Sequence, residues 1–252
     1  DAKFACDYAT RLVPTLTALG ADATEREANW ARGGYQLYTS IDLDQQDVAT
    51  AALIQNAPAS ETRFALGASA VSVQPGTGRI VVMSQNKAFD NSALGGGRST
   101  TAVNFSTDKS YGGSSGFSTG STFKLFTLTD WLQNGHGLNE YVNGSVRTFQ
   151  QNSFKASCSK PFVGNYRPQN SSRYEGGYMS VLTATEDSVN AAFMTMAQQL
   201  DLCDIRDDAT AMGVHRADGN PLGVRPSSVL GTNEIAPLTM AAAYAGIANN
   251  GT

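Results

Sequence analysis

The sequence is poor in the residues that build metal and redox sites. Its 252 residues hold two isolated histidines, His136 and His215, and three cysteines, Cys6, Cys158 and Cys203, with no CxxC spacing. A zinc site needs clustered Cys or His ligands, so no metal centre and no cofactor are expected. Three cysteines permit one disulfide and leave one thiol over. Cys158–Cys203 is the candidate pair, and the count alone does not fix the compartment.

Charge is scarce as well. Charged residues make up 16% of the chain, and Ser, Thr, Asn and Gln make up the difference. The net charge is −4 and the few Lys and Arg are scattered, which argues against a nucleic-acid partner. No apolar run reaches 18 residues, so no membrane-spanning helix is expected. The first residues, DAKFACDYATRL, are not a signal peptide and read as the start of a domain excised from something longer. The chain is long enough for a sizeable core, as one large domain or two small ones.

What is present falls into recognisable elements. Residues 1–35 look helical in parts, broken by Pro14 and Gly20. YQLYTSIDL alternates as a strand, and Asp42 or Asp44 caps a helix DQQDVATAALIQ that groups Val48, Ala52 and Leu53. ALGASAVSV and GRIVVMS form a hairpin, with Pro75-Gly76 suiting a type II turn. Residues 90–120, rich in Gly, Ser and Thr, read as a long surface loop. An apolar helix then runs from Ser121 to Gln133 and stops at Asn134-Gly135. After a loop region over 135–180, another helix starts near Asp187-Ser188 and carries Val189, Phe193, Met196 and Leu200. Pro237 opens a last one.

The chemistry centres on GSTFK, where Ser121 and Lys124 stand three apart. Spacing alone is weak: Ser84/Lys87, Ser106/Lys109 and Ser157/Lys160 match it too. Only Ser121 and Lys124 open a strong helix, where residues i and i+3 face each other. Free N–H groups and the dipole there favour developing negative charge. An apolar core disfavours the charged lysine. A lysine drawn from ~10.4 toward ~7–8 can take a serine proton at neutral pH. The plain alternative is a capping Ser with a snorkelling Lys. Ser188-Val189-Asn190, at the start of the next strong helix, offers a hydroxyl and an amide. Alone it reads more readily as a helix cap, and Ser84-Gln85-Asn86 matches the same pattern.

Together these residues resemble the transpeptidase domain of a penicillin-binding protein, whose motifs include Ser-x-x-Lys and a Ser-x-Asn type. YTSIDLDQQDVATAAL, ASAVSVQPGTGRIVVM and APLTMAAAYAGIANNGT extend the resemblance from Tyr35 onward, toward the bifunctional class A and an actinobacterial type. It implies an α/β fold of the α+β type: a mainly antiparallel sheet flanked by helices on both faces, spanning 35–252. Residues 1–34 would link it to a preceding glycosyltransferase domain in a membrane-anchored parent acting outside the cytoplasm. Ser121 would be the nucleophile toward peptidoglycan stem peptides and β-lactams, Lys124 its base, Ser188 the proton relay, and Asn190 an orienting amide. Thr119, Gly120 and Asn190 would contact substrate.

The chain departs from the family pattern twice. Thr119 replaces a proline common before Gly-Ser. No Lys-Thr-Gly or Lys-Ser-Gly occurs, and the resemblance implies that C-terminal strands lie beyond Thr252 or on a separate chain. Such a strand supplies an oxyanion donor, and losing one costs about 10²–10³ in rate, so the 252 residues alone are expected to be poorly active. A D,D-carboxypeptidase, a β-lactamase, or a β-lactam-sensing or scaffold domain are the competing readings.

Overall fold

The computed structural model describes residues 2–172 and 175–251. The outer limits of the two expected segments, Asp1 and Thr252, lie outside them. The helices are α1 (Lys3–Arg11), α2 (Ala23–Arg32), α3 (Leu43–Asn56), α4 (Lys109–Gly112), α5 (Lys124–Gln133), α6 (Val181–Glu186), α7 (Asn190–Ala197), α8 (Leu202–Ala211) and α9 (Pro237–Ala248). The strands are β1 (Ser69–Val73), β2 (Ile80–Gln85), β3 (Ala88–Phe89), β4 (Thr100–Thr101), β5 (Phe117–Ser118), β6 (Tyr141–Asn143), β7 (Phe149–Gln150), β8 (Asn165–Tyr166), β9 (Tyr178–Ser180) and β10 (Glu234–Ile235). They divide into two compact units. One comprises residues up to Gly116, Arg216–Gly219 and Ile235 onward; the other comprises Phe117–His215 and Asn220–Glu234.

The first unit is built on the β1–β2 hairpin. The strands pair antiparallel, and Gly76 at φ 77° takes the position the type II turn requires. Helices α1, α3 and α9 pack against it, and Phe4, Ala5 and Met83 form a core cluster. Asp42 caps α3 by accepting from the amides of Asp44 and Gln45. The face of α3 differs from the one the sequence suggests. Val48 is 71% exposed while Gln46 is 1% exposed. The Gln46 amide donates to Met83 O and accepts from Met83 N, both at 2.9 Å, completing the outer edge of β2 as a backbone would.

Two further expectations are corrected in this unit. Residues 35–42 make no strand; Ser40 Oγ and Asp42 N bond to Ile80 O and Val81 O without forming a ladder. Residues 90–116 are the expected surface loop only in part: 91–99 are largely exposed, but the stretch also carries regular structure. They contain β4, paired parallel to β3, and α4. Asn104, Ser106 and Thr107 are buried, Asn104 Nδ2 donates to Phe4 O, and Phe105 N donates to Gln85 Oε1. Side-chain amides here do the work of missing strand partners.

The second unit packs α5, α6, α7 and α8 with a 3₁₀ turn over Pro226–Leu230. Antiparallel pairs β6–β9 and β7–β8 occupy the region expected to be loop. The antiparallel, helix-flanked character expected of the fold is thus met, in short strand pairs rather than one broad sheet. Cys158 and Cys203 form a disulfide with Cα atoms 6.0 Å apart, which ties the 150s segment to the start of α8. Among the described residues, no helix is long and apolar enough to cross a membrane.

Candidate active site

The helix expected from Ser121 to Gln133 arrives in two parts. Gly120–Phe123 form a 3₁₀ turn, and the α-helix begins at Lys124. Ser121 is therefore exposed on the turn, while Lys124 is 4% exposed on the first residue of α5. Phe123, Phe126 and Trp131 bury the same element and fix its position.

A second loop holds the serine turn by its backbone. Gly120 N donates to Gly231 O at 3.0 Å, and Thr119 N to Asn233 O at 3.3 Å. Gly231 has φ 82°, and a Cβ there would collide with the Gly120 backbone. Only glycine satisfies both conditions. Thr122 Oγ1 closes the turn onto Thr119 O at 2.8 Å.

The Ser188 region also differs from its sequence reading. No helix starts at Asp187-Ser188: α6 ends at Glu186 and α7 begins at Asn190. Ser188 lies between them at φ 54°, a left-handed conformation that costs a non-glycine residue of order 1 kcal/mol or more. It caps neither helix. Its carbonyl and hydroxyl turn instead toward Lys124.

Lys124 Nζ donates to Ser188 O at 2.6 Å, to Ser188 Oγ at 2.9 Å and to Asn190 Oδ1 at 2.6 Å. Three acceptors match the three protons of an ammonium. Burial nonetheless lowers the Lys124 pKa to about 8, with Glu175 opposing the shift. The ring of Phe193 lies 5.3 Å from Nζ. Asn190 spends its own Nδ2 on Gln169 O at 2.7 Å, which fixes the direction of Oδ1.

Among the described residues, no hydrogen bond joins Ser121 Oγ to Lys124 Nζ. With all three protons placed, the ammonium has no lone pair to offer. Loss of one proton would supply that lone pair to a hydroxyl one turn away, and such contacts commonly tighten only with substrate bound.

Of the predicted site residues, Lys124, Ser188 and Asn190 touch directly; Ser121, Gly120 and Thr119 stand on the adjoining turn. In two of the three competing pairs the serine is buried in the first unit. Ser84 is buried in β2 and bonds Thr50 Oγ1 at 2.6 Å, while Lys87 Nζ donates to Gly97 O at 3.2 Å. Ser106 is fully buried in the first unit. Sequence reasoning missed Phe193 as a cation partner, Gly231 as the clamp and Glu175 as a charge acting on Lys124. A Gly-x-Asn run at 231–233 is the one local hint, and its contact is long-range.

The model of the penicillin binding protein transpeptidase domain matches residues 68–252. No curated protein matches the chain. Among solved structures, penicillin-binding protein PonA1 from Mycobacterium tuberculosis is 22% identical, with a TM-score of 0.67 over 96% of this chain and 56% of that one. Penicillin-binding protein A from M. tuberculosis, solved as an imipenem acyl-enzyme complex, is 19% identical, with a TM-score of 0.64 over 90% of this chain and 56% of that one. Penicillin-binding protein 1A from Haemophilus influenzae is 22% identical, with a TM-score of 0.53 over 71% of this chain and 23% of that one. The chain thus spans little more than half of the first two. Identities this low speak to the fold.

Proposed function

The chain belongs to the penicillin-binding protein transpeptidase family, and from that premise we propose that it is the acyl-transfer unit of a peptidoglycan D,D-transpeptidase. The observation that carries this reading is the Lys124 ammonium, buried, held by Ser188 and Asn190, and brought near a neutral pKa.

Neutral Lys124 takes the Ser121 proton as Ser121 Oγ attacks the carbonyl of the penultimate D-Ala in a stem peptide. The amide C–N bond then breaks. Terminal D-Ala leaves as a neutral amine, its proton relayed from Lys124 through Ser188 Oγ. An amine on a neighbouring stem peptide attacks the seryl ester, forms the cross-link and returns the hydroxyl to Ser121. Asn190 Oδ1 orients Lys124 throughout, and Asn190 Nδ2 exchanges Gln169 O for the substrate carbonyl. Thr119 and Gly120 line the approach to Ser121. A β-lactam, as a strained analogue of the acyl-D-Ala-D-Ala end, acylates the same hydroxyl.

The site lies outside the cytoplasm on this reading. The Cys158–Cys203 disulfide supports it, because such bonds persist in oxidising compartments. Class A relatives suggest a membrane-anchored parent with a glycosyltransferase domain.

The test is product analysis with the full-length protein, a stem pentapeptide and an acceptor amine. Released D-Ala together with a cross-linked dimer is expected, and neither product with Ser121→Ala. D-Ala release without dimer would make it a carboxypeptidase. Products persisting in Ser121→Ala would remove the nucleophile assignment.

A further inference from the structure

Glu175 stands in the same unit, on the stretch that leads into β9. It is half-buried, yet its Oε2 is fully enclosed and meets no hydrogen-bond donor. A buried carboxylate oxygen without a donor is costly unless a nearby positive charge compensates.

Its backbone is tied to the residues that hold Lys124. Asn170 Nδ2 donates to Glu175 O at 3.2 Å and to Gly144 O at 2.9 Å. Asn170 Oδ1 accepts from Ala191 N at 3.0 Å, one residue beyond Asn190. Gly144 N donates to Gly177 O at 2.7 Å. One asparagine therefore joins the Glu175 segment to the first turn of α7, while Asn190 Nδ2 holds the preceding residue, Gln169, by its carbonyl.

We infer that Glu175 is a positioning residue: its enclosed carboxylate is the counter-charge that keeps Lys124 in the charged, triply bonded state. Glu186 and Asp187 immediately precede Ser188, yet among the described residues Glu175 is the charge that acts on Lys124. Helix α7 carries no ionisable residue and presents Phe193, and the 226–230 turn carries none. The acids of α8, Asp204 and Asp208, act on Asp130 further along α5. Glu175 is the charge that raises the Lys124 pKa against desolvation. The resting protein is thereby biased toward an ammonium that holds the Ser188 turn, at the expense of the free base.

The functional consequence rests on Lys124 being the base for Ser121. Removing the counter-charge should make acylation easier in acid, a gain that a merely structural residue would not produce. Two measurements on the full-length protein separate the ideas. One is the rate of acylation by a fluorescent penicillin between pH 5 and 10. The other is direct titration of Lys124 by NMR of ¹³Cε-labelled lysine, assigned with Lys124→Arg. Wild type is compared with Glu175→Gln, and with Glu175→Asp as the charge-retaining control.

In Glu175→Gln the Lys124 titration and the acid limb of acylation both move to lower pH, so that acylation at about pH 6 rises several-fold. Each unit of movement corresponds to about tenfold on the acid side. Glu175→Asp stays nearer wild type. If Lys124 titrates lower but the acylation limb stays put, the counter-charge stands and the base role of Lys124 falls. If Lys124 titrates at an unchanged or higher pH in folded Glu175→Gln, the counter-charge is overturned.

Discussion

Lys124 Nζ and Asn190 Oδ1 meet at 2.6 Å across 66 positions of sequence, joining the first residue of α5 to the first residue of α7. The bond spans two helix starts, so it reports the packing of the unit as much as the chemistry of the site. Asn190→Asp puts a carboxylate in place of this neutral acceptor and favours the charged lysine. The acid limb of β-lactam acylation should move to higher pH, opposite to Glu175→Gln, and acylation at pH 7 should fall by roughly tenfold or more. A stopped-flow pH profile reads both.

The profile of the unmodified protein follows from burial of Lys124. Its pKa is lowered to about 8, so the neutral base is the minor form at pH 7 and the major form at pH 9. Acylation should climb through that interval and level off above it. A limb centred near ~4 would assign the proton transfer to another group, and one near ~10.4 would mean a lysine that burial has not shifted.

Gly231→Ala tests the clamp on the serine turn. The new Cβ strikes the Gly120 backbone and the residue must also hold φ 82°. We expect a loss of stability of about 2 kcal/mol or more and acylation down by roughly a hundredfold, since a 1 Å displacement of a reacting group has that effect. Thermal melting and acylation kinetics check the two parts separately.

Asp130 offers a stability prediction away from the chemistry. It is 2% exposed, and its Oδ2 has no hydrogen-bond partner. Burial, together with Asp208 and Asp204, raises its pKa to about 6. The folded state keeps this proton to a higher pH than the unfolded chain does. Its contribution is therefore fully present below the ordinary aspartate range and lost as pH rises to about 6. Asp130→Asn should stabilise the protein at pH 7.5 by about 1–2 kcal/mol, allowing for solvent screening, and by much less at pH 4. Denaturant melts at the two pH values decide it.

Paired Cys158→Ala and Cys203→Ala substitutions open a loop with a sequence separation of 45. The chain-entropy argument gives a cost of about 3–4 kcal/mol, and a melting temperature lower under reducing conditions for wild type alone.

Local chemistry was legible in the sequence and long-range chemistry was not. Pro75-Gly76 and Pro237 act within a few residues, and the hairpin and α9 appeared where they pointed. The Ser188 turn did not. SVN looks like the start of a helix, and the left-handed residue at 188 is stabilised by Lys124, which lies 64 positions away. Gln46 was overlooked because its burial depends on the unfilled edge of β2, a tertiary fact. Phe193, Gly231 and Glu175 reach the site by folding alone. The Gly/Ser/Thr-rich stretch before Ser121 misled in part for a related reason: Asn104, Ser106 and Thr107 are buried, and Asn104 completes the Phe4 backbone.

The most direct measurement is peptide mapping by mass spectrometry of the full-length protein after incubation with penicillin, beside its Ser121→Ala variant. One covalent adduct is expected, on the peptide containing Ser121, and none in the variant. An adduct mapped to Ser84, or labelling that survives in folded Ser121→Ala, would contradict it.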